Sequence, residues 1–96
     1  MRIIAGKWKG CRIAAPAGDS TRPILDRAKT VLFDVLGNRL ARPGQLPPVA
    51  VLDLFAGSGA LGLEALSRGA SYALLVEQSR STAALLRGNL DKLQIT

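Results

Sequence analysis

The apolar positions of this chain change their period three times, and each change marks an element. Arg2-Ile3-Ile4-Ala5 and Cys11-Arg12-Ile13-Ala14 are short strand-like runs. Gly6 and Gly10 bracket the basic turn Lys7-Trp8-Lys9 between them, which predicts a β-hairpin over residues 2–15. Residues 16–21, rich in Pro, Gly, Asp and Ser, read as a loop. Ala28, Val31, Leu32, Val35, Leu36 and Leu40 then recur at helical spacing. They predict an amphipathic helix over 24–40, with Arg27, Lys29, Asp34 and Arg39 pointing away from its packed face and Pro23 near its start. Residues 41–48 hold three prolines and one glycine and read as a linker.

From residue 49 the apolar run becomes continuous. Val49-Ala50-Val51-Leu52-Asp53-Leu54 has a single acid, as expected of a buried parallel strand. Gly57-Ser58-Gly59 makes a turn, a helix is expected over about 60–68, and Gly69 suits its C-terminal end. Tyr72 to Glu77 predicts a second buried strand. Ser79 can cap a second helix that carries Ala83, Leu86, Leu90 and Leu93 on one face. This order, strand–helix–strand–helix, predicts an α/β fold with parallel strands joined by a right-handed crossover. The chain divides into a basic arm and loop (1–22), a helix with a Pro-rich linker (23–48) and a βαβα segment (49–96). Two strands cannot cover themselves, so the expectation is the N-terminal portion of a larger fold, or a truncated product of one.

Charge sharpens this division. The net charge is +6 over 96 residues. Residues 1–48 hold nine Lys/Arg and three acids, whereas residues 49–96 hold four of each, so all the excess lies in the first half. A basic arm beside a neutral segment suits a polyanion such as nucleic acid, or simply a solvated surface. Cys11 is the only cysteine and histidine is absent, which excludes an internal disulfide and a Cys-based metal site; no metal is expected. With no apolar stretch of 18 residues and no signal-peptide pattern, no membrane association is expected, and the simplest location is the cytoplasm.

The candidate chemistry lies at Gly57-Ser58-Gly59-Ala60-Leu61-Gly62, a G-x-G-x-x-G between a strand and a helix. Glycines allow a tight turn, and the helix N-terminus directs free N–H groups at a ligand. Glu77 closes the next strand 20 residues after Gly57, where a carboxylate can accept from both hydroxyls of a ribose. Dinucleotides and S-adenosylmethionine both carry such a ribose. Asp53, four residues before the first glycine, discriminates between them. A carboxylate there repels a pyrophosphate but favours the ammonium and sulfonium of S-adenosylmethionine. The bland alternative is a structural turn, with Asp53 capping a helix and Glu77 on the surface. A phosphate-binding P-loop is excluded, because no Gly-Lys-Ser/Thr follows.

Asp53 to Ala70, D-L-F-A-G-S-G-A-L-G-L-E-A-L-S-R-G-A, closely resembles motif I of the bacterial 16S rRNA (guanine-N2)-methyltransferases, the small-subunit methyltransferase D family. The start M-R-I-I-A-G-K-W-K-G, the segment Thr21-Arg22-Pro23-Ile24-Leu25-Asp26-Arg27, Val76-Glu77 and Asn89-Leu90 resemble the same family. The resemblance implies a Rossmann-like S-adenosylmethionine-dependent fold and methyl transfer to a guanine N2 of small-subunit rRNA. The implied partner is ribosomal RNA or a small-subunit assembly particle. It also implies cofactor contacts from Asp53, Gly57, Gly59 and Glu77, with Gln78 near the adenine and Arg22 near the methionine carboxylate. Phe55, Ser58 and Leu61 fall in the same motif and join this cofactor-binding set. Ile24, Leu25, Thr30 and Asp34 depart from the family pattern. The family's catalytic N/D-P-P-Y/F motif is absent from this sequence. The only Pro-Pro, in Leu46-Pro47-Pro48-Val49, lacks both the amide and the aromatic.

Several residues have two readings. Arg2, Lys7, Lys9 and Arg12 form the candidate RNA-binding set, with cations on phosphates. Trp8 either stacks on a base or packs on the helix below, and packing is favoured. Asp26 and Arg27 form a local ion pair or shape the pocket floor. Tyr72 is expected to pack beside the sheet, and Cys11 to be a small strand residue. Two other functions stand beside the methyltransferase: a non-catalytic RNA-binding fragment, and a nicotinamide-binding oxidoreductase module disfavoured by Asp53.

Overall fold

The computed structural model describes residues 1–15 and 26–95. Its elements are α1 (Asp26–Leu40), β1 (Ala50–Asp53), α2 (Ala60–Ser67), β2 (Tyr72–Leu75) and α3 (Arg80–Lys92). β1 and β2 pair in parallel, Ala50 opposite Tyr72 and Asp53 opposite Leu75. The pairing continues beyond both strands, because Val76 N–H donates to the Asp53 carbonyl (2.8 Å) and Ala56 N–H to the Val76 carbonyl (2.9 Å). Asp53 and Glu77 therefore sit at the same, carboxyl, end of neighbouring strands.

The arm is a tight hairpin with one antiparallel bridge, Arg2 to Arg12, rather than two full strands. Ile3 and Ile13 are buried and join Ala60, Leu63 and Leu93 in one core cluster, so the hairpin packs on α2 and α3. A second cluster, Phe33, Leu46, Ala65 and Ala70, joins α1 and the 41–48 linker to the other side of α2. α2 is thus the central element, touched by the arm, α1 and both strands.

The inner face of α1 differs from the sequence expectation. Lys29, Phe33 and Gly37 are its buried residues, spaced four apart. Of the expected apolar stripe, Val31 (56 % exposed), Val35 and Leu40 face solvent and Leu32 borders on it. Lys29, expected to point outward, is fully buried. Its ammonium meets the Glu64 carboxylate at 3.3 Å and donates to the Arg2 carbonyl at 2.6 Å. Arg68 completes the cluster: its Nε lies 2.8 Å from Glu64, and its guanidinium stacks over the Phe33 ring at 4.8 Å. A satisfied buried charge outranked an apolar stripe in orienting this helix.

The strands also differ from the expectation that both their faces are buried. Leu52, Tyr72, Leu74 and Val76 are exposed, and only the alternate residues turn toward the helices. The described residues place their helices against one face of the sheet, so alternation returns although every strand residue except Asp53 is apolar. Asp26 pairs with Arg2 (3.2 Å) and not with Arg27. Ser79 caps α3 as expected, its hydroxyl accepting from Thr82 N–H at 3.3 Å. Among the described residues, no helix is long and apolar enough to cross a membrane.

Candidate functional site

The turn between β1 and α2 is held by hydrogen bonds from three directions. Gly57 N–H donates to Glu77 Oε1 at 2.9 Å. Gly59 N–H donates to the Ala56 carbonyl at 2.8 Å. The Ser58 carbonyl accepts from the Asn89 side chain at 2.9 Å. Gly57 and Gly59 both have positive φ, 57° and 92°, which a side chain at either position would strain. Their surroundings differ. A Cβ on Gly57 would meet open space, whereas one on Gly59 would strike Leu86, and one on Gly62 would strike Leu75. Gly57 is therefore the point where a ligand can approach the backbone, whereas Gly59 lets α3 close on the turn and Gly62 lets α2 close on β2.

Asp53 has one satisfied oxygen and one orphan. Oδ1 accepts from Phe55 N–H at 3.2 Å. Oδ2 is buried without a hydrogen-bond partner among the described groups. A buried carboxylate oxygen without a donor is costly, so this position suits a ligand that brings a cationic or N–H group. Asp53, Phe55 and Leu61 line a mostly apolar cleft of about 330 Å³ with Leu32, Leu36 and Val51. Such a cleft, with one carboxylate in its wall, fits a small organic cation better than a phosphate.

Glu77 is half-buried, and N–H groups of Ser79 (2.8 Å) and Gly57 hold its carboxyl below the usual carboxylate value of 4.5. It is therefore ionised near neutral pH and ready to accept from hydroxyls. The unfolded chain, lacking those donors, takes up the proton at higher pH than the folded one. The Glu77 contribution to stability is thus complete above pH 4.5 and disappears as pH falls through the lower folded value. In urea titrations of the wild type and Glu77→Gln, the gap between midpoints should be constant from pH 7 down to about 5 and shrink below it. A gap that widens as pH falls contradicts this role.

The other expected residues fall as follows. Phe55 is almost wholly exposed, and Gln78 is exposed beside Glu77. Ser58 is buried, its hydroxyl 3.9 Å from Met1 Sδ and its carbonyl taken by Asn89, so it supports the turn from behind rather than facing a ligand. Leu61 packs against the second core cluster while lining the cleft. Arg22, with Thr21 and Pro23, lies outside the described residues. On the arm, Arg2, Lys7, Lys9 and Arg12 are all exposed. Trp8 packs against the first core cluster, with Lys7 Nζ 5.1 Å from its ring centre. The arm is held down through its backbone. Ile4 and Ala5 N–H donate to the two oxygens of Glu64 (2.9 and 3.1 Å), and Trp8 N–H donates to Ser67 Oγ (2.9 Å).

Sequence reasoning missed Glu64, Lys29, Arg68 and the role of Asn89. A signal existed for two of them. Glu64 is a lone charge in the otherwise apolar run Ala60 to Leu66, with Arg68 four residues on. Asn89 lies three residues after Leu86 and four before Leu93, on the same helical face.

A family model described as Conserved hypothetical protein 95 matches residues 1–96. The chain is 43 % identical over 98 residues to the ribosomal RNA small subunit methyltransferase D of Escherichia coli K12, covering 98 % of this chain and 44 % of that protein. It is 38 % identical over 94 residues to the protein of the same name from Haemophilus influenzae, covering 98 % and 46 %. The solved structure of a hypothetical protein from Thermus thermophilus superposes with a TM-score of 0.82 at 41 % identity, covering all of this chain and 52 % of that one. The chain spans about half the length of the relatives it matches.

Proposed function

We propose, because the chain belongs to the family described as Conserved hypothetical protein 95, that it supplies the S-adenosylmethionine-binding half of an rRNA methyltransferase acting on a guanine N2 of small-subunit rRNA. The observation that carries the cofactor reading is the buried Oδ2 of Asp53, unpartnered among the described residues, at the strand end that leads into the open backbone at Gly57. Asp53 would hold the cationic methionine end, Glu77 the ribose hydroxyls, and Gln78 would lie near the adenine. Arg22 would pair with the methionine carboxylate. The chemistry such a cofactor supplies is an electrophilic methyl on a sulfonium, so the protein's contribution is mainly placement. Asp53 and Glu77 are fixed for that task by the strand ends and the turn.

The acceptor reading is supported by the relatives named as rRNA methyltransferases and by the basic arm. Arg2, Lys7, Lys9 and Arg12 present exposed cations on a hairpin whose backbone is locked to α2. The partner would be rRNA or an assembling small subunit, and the setting the cytoplasm. No N/D-P-P-Y/F segment occurs in these 96 residues, so binding without turnover is expected of them alone.

One experiment tests both parts of this reading. The chain is incubated with labelled S-adenosylmethionine and a small-subunit rRNA fragment, and RNA affinity is followed against salt. The expected result is RNA binding without methyl transfer. Lys7→Ala with Lys9→Ala should flatten the log–log salt slope by about 1.4, at roughly 0.7 per phosphate contact on single strands. An unchanged slope removes these lysines from the RNA interface, and turnover by the chain alone contradicts the division of labour.

A further inference from the structure

Asn89 is 2 % exposed and sits on the inner face of α3, where its neighbours in the helical stripe are Leu86 and Leu93. A primary amide buried there must find partners, and it finds them in two separate backbones. Its Oδ1 accepts from Ala14 N–H at 2.8 Å, and its Nδ2 donates back to the Ala14 carbonyl at 3.0 Å. The amide thus pairs with Ala14 as a neighbouring strand would. The second Nδ2 hydrogen goes to the Ser58 carbonyl at 2.9 Å.

The Ser58 bond has a consequence for the turn. The Ser58 carbonyl and the Gly59 N–H belong to one planar, trans peptide unit and point in opposite directions. Asn89 holds the carbonyl end, and the Ala56 carbonyl holds the N–H end. With both ends fixed, this peptide cannot rotate, and the preceding Gly57, tied to Glu77, is fixed with it. Ala14 follows Ile13, whose N–H closes the hairpin on the Met1 carbonyl, so the same amide also pins the second limb of the hairpin.

We propose that Asn89 is a positioning residue for the cofactor turn. Its amide locks the Ser58–Gly59 peptide in the binding-competent orientation and couples that turn to the basic hairpin at Ala14. The inference rests on the reading of the turn as an S-adenosylmethionine site. Asn89 does not touch the ligand in this account; it acts through Ser58. Only an amide serves, because the position needs an acceptor toward Ala14 N–H and two donors toward two carbonyls.

The test uses this chain and S-adenosylhomocysteine in calorimetry, with the rRNA fragment as a second ligand, at a temperature where circular dichroism shows the variants folded. Asn89→Asp keeps the shape and the acceptor but turns carboxylate oxygen toward the Ala14 and Ser58 carbonyls. It should weaken S-adenosylhomocysteine binding at pH 8 at least tenfold and RNA affinity by much less, because the Lys7–Lys9 turn is held through Glu64 and Ser67 rather than through Ala14. Lowering the pH protonates the introduced carboxyl and restores one donor, so several-fold of the lost affinity should return by pH 5.5; the wild type should stay level. A purely structural defect gives no such selective recovery. If Asn89→Asp does not fold, amide exchange in the wild type decides. Adding S-adenosylhomocysteine should slow the Ala14 N–H and the Asn89 side-chain amide together with Gly57 and Gly59.

Affinity within twofold of wild type in folded Asn89→Asp overturns the proposal. So does equal weakening of both ligands at every pH, or protection confined to the turn. Failure of the wild type to bind S-adenosylhomocysteine overturns the cofactor reading itself, a distinguishable result.

Discussion

Replacing Glu64 with glutamine is expected to cost the fold more than any other conservative change in the chain. Glu64 is the one acid in a buried cluster with two cations, Lys29 and Arg68, whose side chains are at most 3 % exposed. It also accepts Ile4 and Ala5 N–H, so it binds the arm, α1 and α2 at one point. Glutamine keeps the volume but leaves two buried cations without a counter-charge. Breaking a buried pair costs about 3–5 kcal/mol. For a domain of this size each kcal/mol lowers Tm by roughly 4–8 °C, so a fall of at least ~12 °C is expected. Lys29→Met should cost clearly less, because it leaves Glu64 and Arg68 as a neutral pair. Thermal melting of the two variants at equal concentration checks this order. Equal losses, or a Glu64→Gln loss under about 1 kcal/mol, would show that the cluster does not carry this weight.

Asp53→Ala should separate binding from stability in the opposite way. Among the described residues the buried Oδ2 has no partner, so its removal breaks no bond there, and only the 3.2 Å bond from Phe55 N–H to Oδ1 is lost. Tm should therefore move little. Affinity for S-adenosylhomocysteine should collapse, because a hydrogen bond to a charged group is worth about 1.5–3 kcal/mol, or roughly ten- to 150-fold. Asp53→Asn keeps the shape without the charge and should fall between the two. An Asp53→Ala variant that binds normally, or that unfolds, would place this carboxylate in the architecture rather than in the site.

The arrangement of the strand ends and the glycine turn was more legible than the packing around them. Asp53, the Gly57–Gly62 turn and Glu77 are local features whose spacing alone sets them at one end of a parallel pair, and the register shows them there. The orientation of α1 was not legible. Its apolar stripe is stronger than the face it buries, and the choice depends on Glu64, 35 residues later, which no local period reports. The strand exposures were misread for a related reason: a continuous apolar run signals burial on both faces, and only one face is covered by the described residues. The distinct duties of Gly57, Gly59 and Gly62 depend on Leu86 and Leu75, which only the fold brings near. Asn89 was visible as a residue but not as a link, because its partners Ala14 and Ser58 are 75 and 31 positions away.

A turn that takes an S-adenosyl cofactor and not a dinucleotide should tell the two apart in solution. Calorimetric titration of the wild-type chain with S-adenosylhomocysteine, which keeps the ammonium and ribose of the methyl donor, and separately with NAD, reads this out. Saturable binding of S-adenosylhomocysteine that Asp53→Ala removes is expected, with no binding of NAD. Saturable binding of NAD, with none of S-adenosylhomocysteine, would contradict it.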